Sequence, residues 1–242
     1  MKLALVIPCY NEAAGLPELM RRCFDVTSSC DADVILVDNG STDDTPKLLP
    51  SLLKGHARMR SVRVEVNQGY GRGILAGLHA ADADILAWTH ADLQTDPMDV
   101  VEGLRLFQQA PDPETLFVKG RRFGRPLADV VFTIGMSAFE TMLLQRGLWD
   151  INAQPTMMPR SFFQTWHEPP EDFSLDLYAY YTAKLNGLSI ERFPVRFGER
   201  AHGMSHWNVD WRAKAKFIRR TVDYSLELRS SLGRQPAMRA QT

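Results

Sequence analysis

Four polar clusters each stand directly after a short apolar run, and their residue types define the chemistry the chain could perform. In the first, Pro8 fixes a backbone angle, Tyr10 offers a flat ring for stacking, and Glu12 can accept hydrogen bonds from a base or cap its own helix. The second runs from Asp38 to Thr45; turn and capping chemistry accounts for Thr42, Asp43 and Asp44, but not for Asp38, an acid placed on a strand end. The third, Asn67 to Gly73, is glycine-dense without the G-x-G-x-x-G spacing of a dinucleotide loop, so Gly69 and its neighbours permit close backbone approach to a ligand or tight helix–sheet packing. The fourth runs from Thr89 to Pro97. Asp92 and Gln94 lie two residues apart, and an extended segment would point a carboxylate and an amide oxygen the same way, enough to share a hard divalent cation.

These clusters need elements that bring them together. Apolar runs at residues 3–7, 34–37, 62–66 and 85–88 alternate with helical patterns at 13–24, 44–53, 72–80 and 97–109, with Thr42 or Asp43 as N-cap of the second helix. That rhythm predicts βαβ units and an α/β fold with a mostly parallel central sheet flanked by helices. Ligands of such sheets bind outside the carboxyl ends of the strands, where all four clusters would meet. Further on, the pattern predicts a strand at 115–119, a helix at 128–144, irregular or extended chain at 150–158, a helix at 175–185, a strand at 188–195 and a basic amphipathic helix at 210–228.

Composition excludes several alternatives. Apolar residues at 45% and charged residues at 24% describe a globular chain, not a disordered or collagenous one. A balance of 28 basic against 29 acidic residues gives no electrostatic case for nucleic acid. Cys9, Cys23 and Cys30 are odd in number and form no C-x-x-C pair, which fits reduced thiols. No export signal precedes residue 8, and the apolar stretch 130–139 lies between Asp129 and Glu140, short of the ~18–20 residues of a membrane span. The expectation is a cytoplasmic protein, with peripheral contact at the inner face of the membrane.

Taken in order, the four clusters, with Lys119-Gly120-Arg121, the segment 150–155 and the segment 200–205, resemble family 2 glycosyltransferases of the GT-A fold, most closely the dolichol-phosphate mannose synthase and polyprenyl-phosphate glycosyltransferase group. The resemblance covers residues 3–207. It implies one catalytic domain over 1–228, with a nucleotide-sugar half (1–120) and an acceptor half (121–228); the last stretch, 229–242, lacks periodicity and reads as a flexible tail. The resemblance also implies that Pro8, Tyr10, Glu12, Asp38 and Gly69 hold the nucleotide sugar, and that Asp92 and Gln94 hold Mn2+ or Mg2+ on the diphosphate. His90 stands where the family has an aspartate. It either ligates, favouring Mn2+, or contacts the nucleotide.

The implied reaction is an inverting transfer from a nucleotide sugar to an acceptor, in cell envelope biosynthesis. A polyprenyl phosphate acceptor is already ionised and needs only cations to position it. Arg121 and Arg200 are the catalytic candidates for that role, and Gln154, Ser205 and His206 join them in acceptor binding; Arg122 and Arg125 extend the basic cluster after the fifth strand. A sugar hydroxyl acceptor would instead require a base, for which Asp172 or Asp176 is the choice, on one face of the helix at 175–185. A non-catalytic nucleotide-sugar binder is the remaining alternative, and His90 is its support. A sugar-phosphate nucleotidyltransferase would open with a Gly-rich, Arg-bearing loop where this chain has Pro8 to Glu12.

Overall fold

The computed structural model describes residues 1–199 and 211–232. Strands and helices alternate through β1 (Leu3–Cys9), α1 (Leu16–Ser29), β2 (Ala32–Asn39), α2 (Thr45–Leu53), β3 (Met59–Val64), α3 (Tyr70–Ala80), β4 (Ile85–Trp88) and α4 (Asp99–Gln109). There follow β5 (Leu116–Phe123), α5 (Leu127–Leu144), β6 (Thr156–Pro159), α6 (Arg160–Phe163), α7 (Leu175–Leu185), β7 (Ser189–Arg196) and α8 (Trp211–Leu232). Among the described residues the strands form one seven-stranded sheet in the order β3-β2-β1-β4-β6-β5-β7. Within it only β6 runs against its neighbours; every other pair is parallel. The carboxyl ends of the parallel strands therefore share one edge, and β6 begins at that same edge.

Both faces of the sheet are covered, as parallel sheets require. Leu3, Ala4, Leu5, Val6 and Ile7 are all fully buried although they alternate between faces. Leu16, Leu19 and Cys23 of α1 and Val100, Leu104 and Phe107 of α4 join the cluster containing Leu3, Leu5 and Ile7. On the other face α3 lies against β1 and β2 through Gly77, where an added Cβ would sit 2.3 Å from Val6 Cγ1.

The chain divides into two compact units, Met1–Pro126 with Asp150–Gly203 and Leu127–Trp149 with Met204–Thr242. The first contains the whole sheet, which draws β6 and β7 from beyond residue 120. In the second, α5 packs on α8. Several boundaries differ from expectation. Helix α1 starts at Leu16, after a turn in which Gly15 N donates to Glu12 O (2.9 Å). Strand β5 runs on to Phe123 because β7 pairs with it along its full length, so Arg121 and Arg122 lie in the strand, not after it. The segment 150–158, expected to be irregular or extended, ends in the extended β6. Helix α5 spans 18 residues and takes in Asp129 and Glu140, so it is long and apolar enough, by length and composition alone, to cross a membrane. Helix α8 reaches Leu232, past the residue at which the tail was placed.

Candidate functional site

The first two loops are knitted together by side chains. Asn11, at φ 56°, accepts at Oδ1 from Thr42 N (2.8 Å), while its own N–H donates to Ser41 Oγ (3.0 Å). Glu12 N donates to Thr45 Oγ1 (3.0 Å), and Asp43 accepts from Ala13 N (3.1 Å) and Thr45 N (2.9 Å). Burial raises the Asp43 pKa, but the bonds from Thr45 and Ala13 outweigh it and hold the carboxyl below its usual range. Neither Thr42 nor Asp43 is the N-cap of α2. Asp44 occupies that position without a side-chain cap bond, its carboxylate accepting from Lys47 Nζ (2.7 Å), while Asp43 bridges the loops.

Asp38 closes β2 opposite Cys9 of β1 and Arg63 of β3. It is 3% exposed; Oδ1 accepts from Ser41 N (3.0 Å) and Oδ2 from Arg63 Nη1 (2.6 Å). Pro8 is half-buried beside this row, Glu12 half-buried and Tyr10 exposed. Asn39 ties the second loop to the third by donating from Nδ2 to Gly69 O (2.9 Å).

Gly69 has φ 130°, and an added Cβ would lie 2.5 Å from Glu171 O. The glycine density of this loop thus serves close approach to the backbone of residues 170–172. Arg72 reinforces it, donating from its backbone N to Glu171 O (2.8 Å) and from Nη1 to Glu171 Oε1 (2.6 Å). Tyr70 consequently stands between two rings, stacked on Phe173 at 4.8 Å and on His90 at 5.3 Å between centroids. This column was not apparent beforehand, since its members are far apart in sequence. Its only local signal was the aromatic at Tyr70 between two glycines.

The fourth loop turns rather than extends. Leu93 has φ 58°, and Asp92 Oδ1 accepts from Gln94 N (3.1 Å), so the expected same-side projection of Asp92 and Gln94 from an extended chain does not hold. Gln94 Nε2 donates to Gly198 O (3.3 Å), and Gly198 N to Gln94 O (2.7 Å), pinning the loop to the chain after β7. Asp96 is taken by Arg22 and by Met98 N (2.9 Å), a structural role at the start of α4.

Beneath the aromatic column lies a buried polar network. Gln154 Nε2 donates to Asp176 Oδ1 (2.8 Å) and to Tyr70 Oη (3.3 Å), and Trp88 Nε1 also donates to Asp176 Oδ1 (3.2 Å). Lys119 Nζ lies 4.0 Å from that oxygen and donates to Thr156 Oγ1. Lys119 is 0% and Asp176 1% exposed. Burial lowers Lys119 to about 8 against the pull of Asp176, and burial also pushes the Tyr70 phenol well up. Asp172 precedes α7 and Asp176 lies within it, so the two do not share a helix face.

Of the basic cluster, Arg122 donates to Asp150 from N (3.1 Å) and Nε (2.9 Å), and Arg125 Nη2 lies 3.7 Å from the same carboxylate. Burial alone would raise the Asp150 pKa; Arg122 and Arg125 hold it low instead. Arg121 is exposed. Arg200, Ser205 and His206 lie outside the described residues.

A model described as glycosyl transferase family 2 matches residues 4–163. Among curated relatives, undecaprenyl-phosphate 4-deoxy-4-formamido-L-arabinose transferase of Sodalis glossinidius is 37% identical over 103 residues, 41% of this chain and 31% of that one. The protein of the same name from Pseudomonas syringae is 34% identical over 46% of this chain and 34% of its own. The matches span about a third of those relatives' own length. Among solved structures, glucosyl-3-phosphoglycerate synthase of Mycobacterium tuberculosis in complex with uridine diphosphate has a TM-score of 0.70 at 20% identity, covering 95% of this chain and 80% of that one. Mannosyltransferase PcManGT of Pyrobaculum calidifontis, in complex with GDP-Man and Mn2+, has a TM-score of 0.64 at 18% identity, covering 93% and 64%. These likenesses establish the fold as that of GT-A glycosyltransferases.

Proposed function

The chain belongs to glycosyl transferase family 2, and from that premise we propose that it moves a sugar from a nucleotide-diphosphate donor to a polyprenyl phosphate by direct inverting displacement. The observation that carries the reading is that Asp38 stands at the end of β2 while Glu12 and Asp92 follow β1 and β4, three adjacent parallel strands, at the edge where such sheets bind ligands. Pro8, Tyr10, Glu12, Asp38 and Gly69 hold the nucleoside, and His90, stacked on Tyr70, walls the site beside the diphosphate.

The donor set bears on the cation. Among the described residues no group of three or more His, Cys, Asp or Glu could hold a metal by itself. One carboxylate fits Mn2+ or Mg2+ shared with substrate phosphates, which supply the remaining oxygens. Asp92 would be the protein's anionic ligand with Gln94 beside it, and the bound cation supplies positive charge where the departing diphosphate becomes more negative.

On the acceptor side, a lipid phosphate needs no general base, which suits an Asp176 already engaged by Gln154, Trp88 and Lys119. With Arg122 and Arg125 held on Asp150, Arg121 is the cation of this strand suited to the incoming phosphate, together with Arg200. Gln154 sets the wall of the acceptor site through Tyr70; Ser205 and His206, outside the described residues, are assigned to acceptor binding by the family resemblance alone. The relatives named for undecaprenyl phosphate support this choice of acceptor.

Access to a lipid is supported by the unit containing α5 and α8. Leu127, Val131, Ile134 and Met142 are exposed along one stripe of α5, whereas Glu140 meets α8 by accepting from Ser225 Oγ (2.9 Å). A helix that buries a carboxylate and exposes its aliphatic face suits the headgroup boundary of a bilayer, where it would dock from the cytoplasmic side. The basic residues of α8, Arg219 and Arg220 among them, suit anionic lipid.

The test is a thermal-shift screen of UDP-, GDP- and dTDP-sugars with and without Mn2+, followed by transfer to undecaprenyl phosphate for wild type and Asp92→Asn. A cation-dependent stabilisation by one donor, and transfer reduced roughly 100-fold or more in the variant, are expected. Equal transfer by both proteins removes Asp92 from the reaction.

A further inference from the structure

Asp38 and Arg63 stand opposite each other in register on adjacent parallel strands, β2 and β3, so their side chains leave the same face at the site edge. Arg63 Nη1 donates to Asp38 Oδ2 at 2.6 Å, and its Nε donates to Glu65 Oε2 at 3.3 Å. The acid is almost fully buried, whereas the Arg63 side chain is 45% exposed. The result is an acceptor fixed beside a donor. A carboxylate has about four lone-pair sites and a guanidinium five N–H groups, so their mutual bond leaves each with capacity toward a ligand.

From this juxtaposition we infer that Arg63 is a specificity-determining residue that, with Asp38, reads the edge of the nucleobase. The pair matches a base that presents a ring N–H next to a carbonyl oxygen: N–H to Asp38, C=O from Arg63. Uracil and thymine present that pattern at N3 and O4, and guanine at N1 and O6. Cytosine and adenine present the reverse, a ring nitrogen acceptor beside an amino donor. Each would set its lone pair against the Asp38 carboxylate and its amino group against the guanidinium. A site built around such groups rejects the wrong edge strongly, because its own polar groups then remain unsatisfied.

The sequence offered no cue to Arg63, which sits in an exposed, alternating stretch of an edge strand. The inference rests on the nucleotide-sugar reading, and the experiment separates the two. Dissociation constants for UDP, GDP, CDP and ADP are measured by calorimetry with Mn2+ for wild type, Arg63→Met and Arg63→Lys, with the unliganded melting temperature of each. In wild type, UDP or GDP should bind roughly 100-fold or more tightly than CDP and ADP. Arg63→Met should lose most of that ratio, and Arg63→Lys, which keeps the charge but not the planar fork, should lose part of it. A wild type that binds CDP or ADP as well as UDP and GDP overturns the base-edge inference and leaves the donor reading standing. Variants that melt normally and keep the full ratio overturn the role of Arg63. Binding of none of the four overturns the donor reading as well.

Discussion

Replacing Lys119 with methionine leaves the Asp176 carboxylate inside the fold without its cation, and the structure gives the size of the loss. The two charged atoms are 4.0 Å apart and both side chains are essentially inaccessible. At an effective dielectric of about 20, that separation corresponds to about 4 kcal/mol of attraction. Breaking a buried pair from one side costs about 3–5 kcal/mol, a large part of the ~5–15 kcal/mol that holds a domain together. Asp176→Asn should cost a similar amount by stranding the ammonium. The double variant Lys119→Met/Asp176→Asn should cost far less than the sum of the two. No unmatched charge remains in it, and the amide oxygen introduced by Asp176→Asn can still accept from Trp88 and Gln154. Urea unfolding of the four proteins, followed by far-UV circular dichroism, gives the coupling energy directly. A coupling near 4 kcal/mol is expected; one below about 0.5 kcal/mol would refute the claim that these groups act as a pair.

Three further outcomes follow from the same geometry. Because burial lowers Lys119 to about 8 in the folded chain, the unfolded chain, at about 10.4, binds more protons between those values. Stability should therefore rise with pH across that window and be flat in this respect below it, and Lys119→Met should abolish the rise in urea midpoints measured from pH 7 to 10. Gly69→Ala places a Cβ against Glu171 O at a backbone angle that L residues avoid; a loss of about 1–3 kcal/mol is expected, with near-ultraviolet circular dichroism altered as Tyr70 shifts against Phe173. Leu127→Asp combined with Met142→Asp should cut co-sedimentation with phosphatidylglycerol vesicles at least about tenfold without lowering nucleotide affinity, and unchanged sedimentation would remove α5 from the bilayer.

How much of this was legible in the sequence depended on range. Strand β4 and helix α7 match the expected bounds because each carries its pattern within its own residues, a short apolar run in one and a longer, mostly apolar and aromatic run in the other. Asp38 stood out by its position at a strand end, but its burial there against Ser41 and Arg63 depends on β3 and the second loop. Strand β6 is only four residues long and exists by pairing antiparallel with β4 and β5, neither of which is near in sequence. Lys119 was legible only as part of Lys119-Gly120-Arg121 at the end of a strand; its burial 4.0 Å from Asp176, a residue far off in sequence, was not. The Asp92 loop shows why spacing alone was insufficient: a positive φ at Leu93 undoes the alternation on which the two-residue argument depended.

The stripe of aliphatic side chains on α5 has a practical corollary. Leu127, Val131, Ile134 and Met142 are exposed, and on the bilayer role proposed for them a micelle, a vesicle or the same stripe on a second molecule would take the place of lipid in aqueous buffer. On that role, any self-association during purification is expected to dissolve with mild detergent at constant protein concentration, and persistence in detergent would count against it.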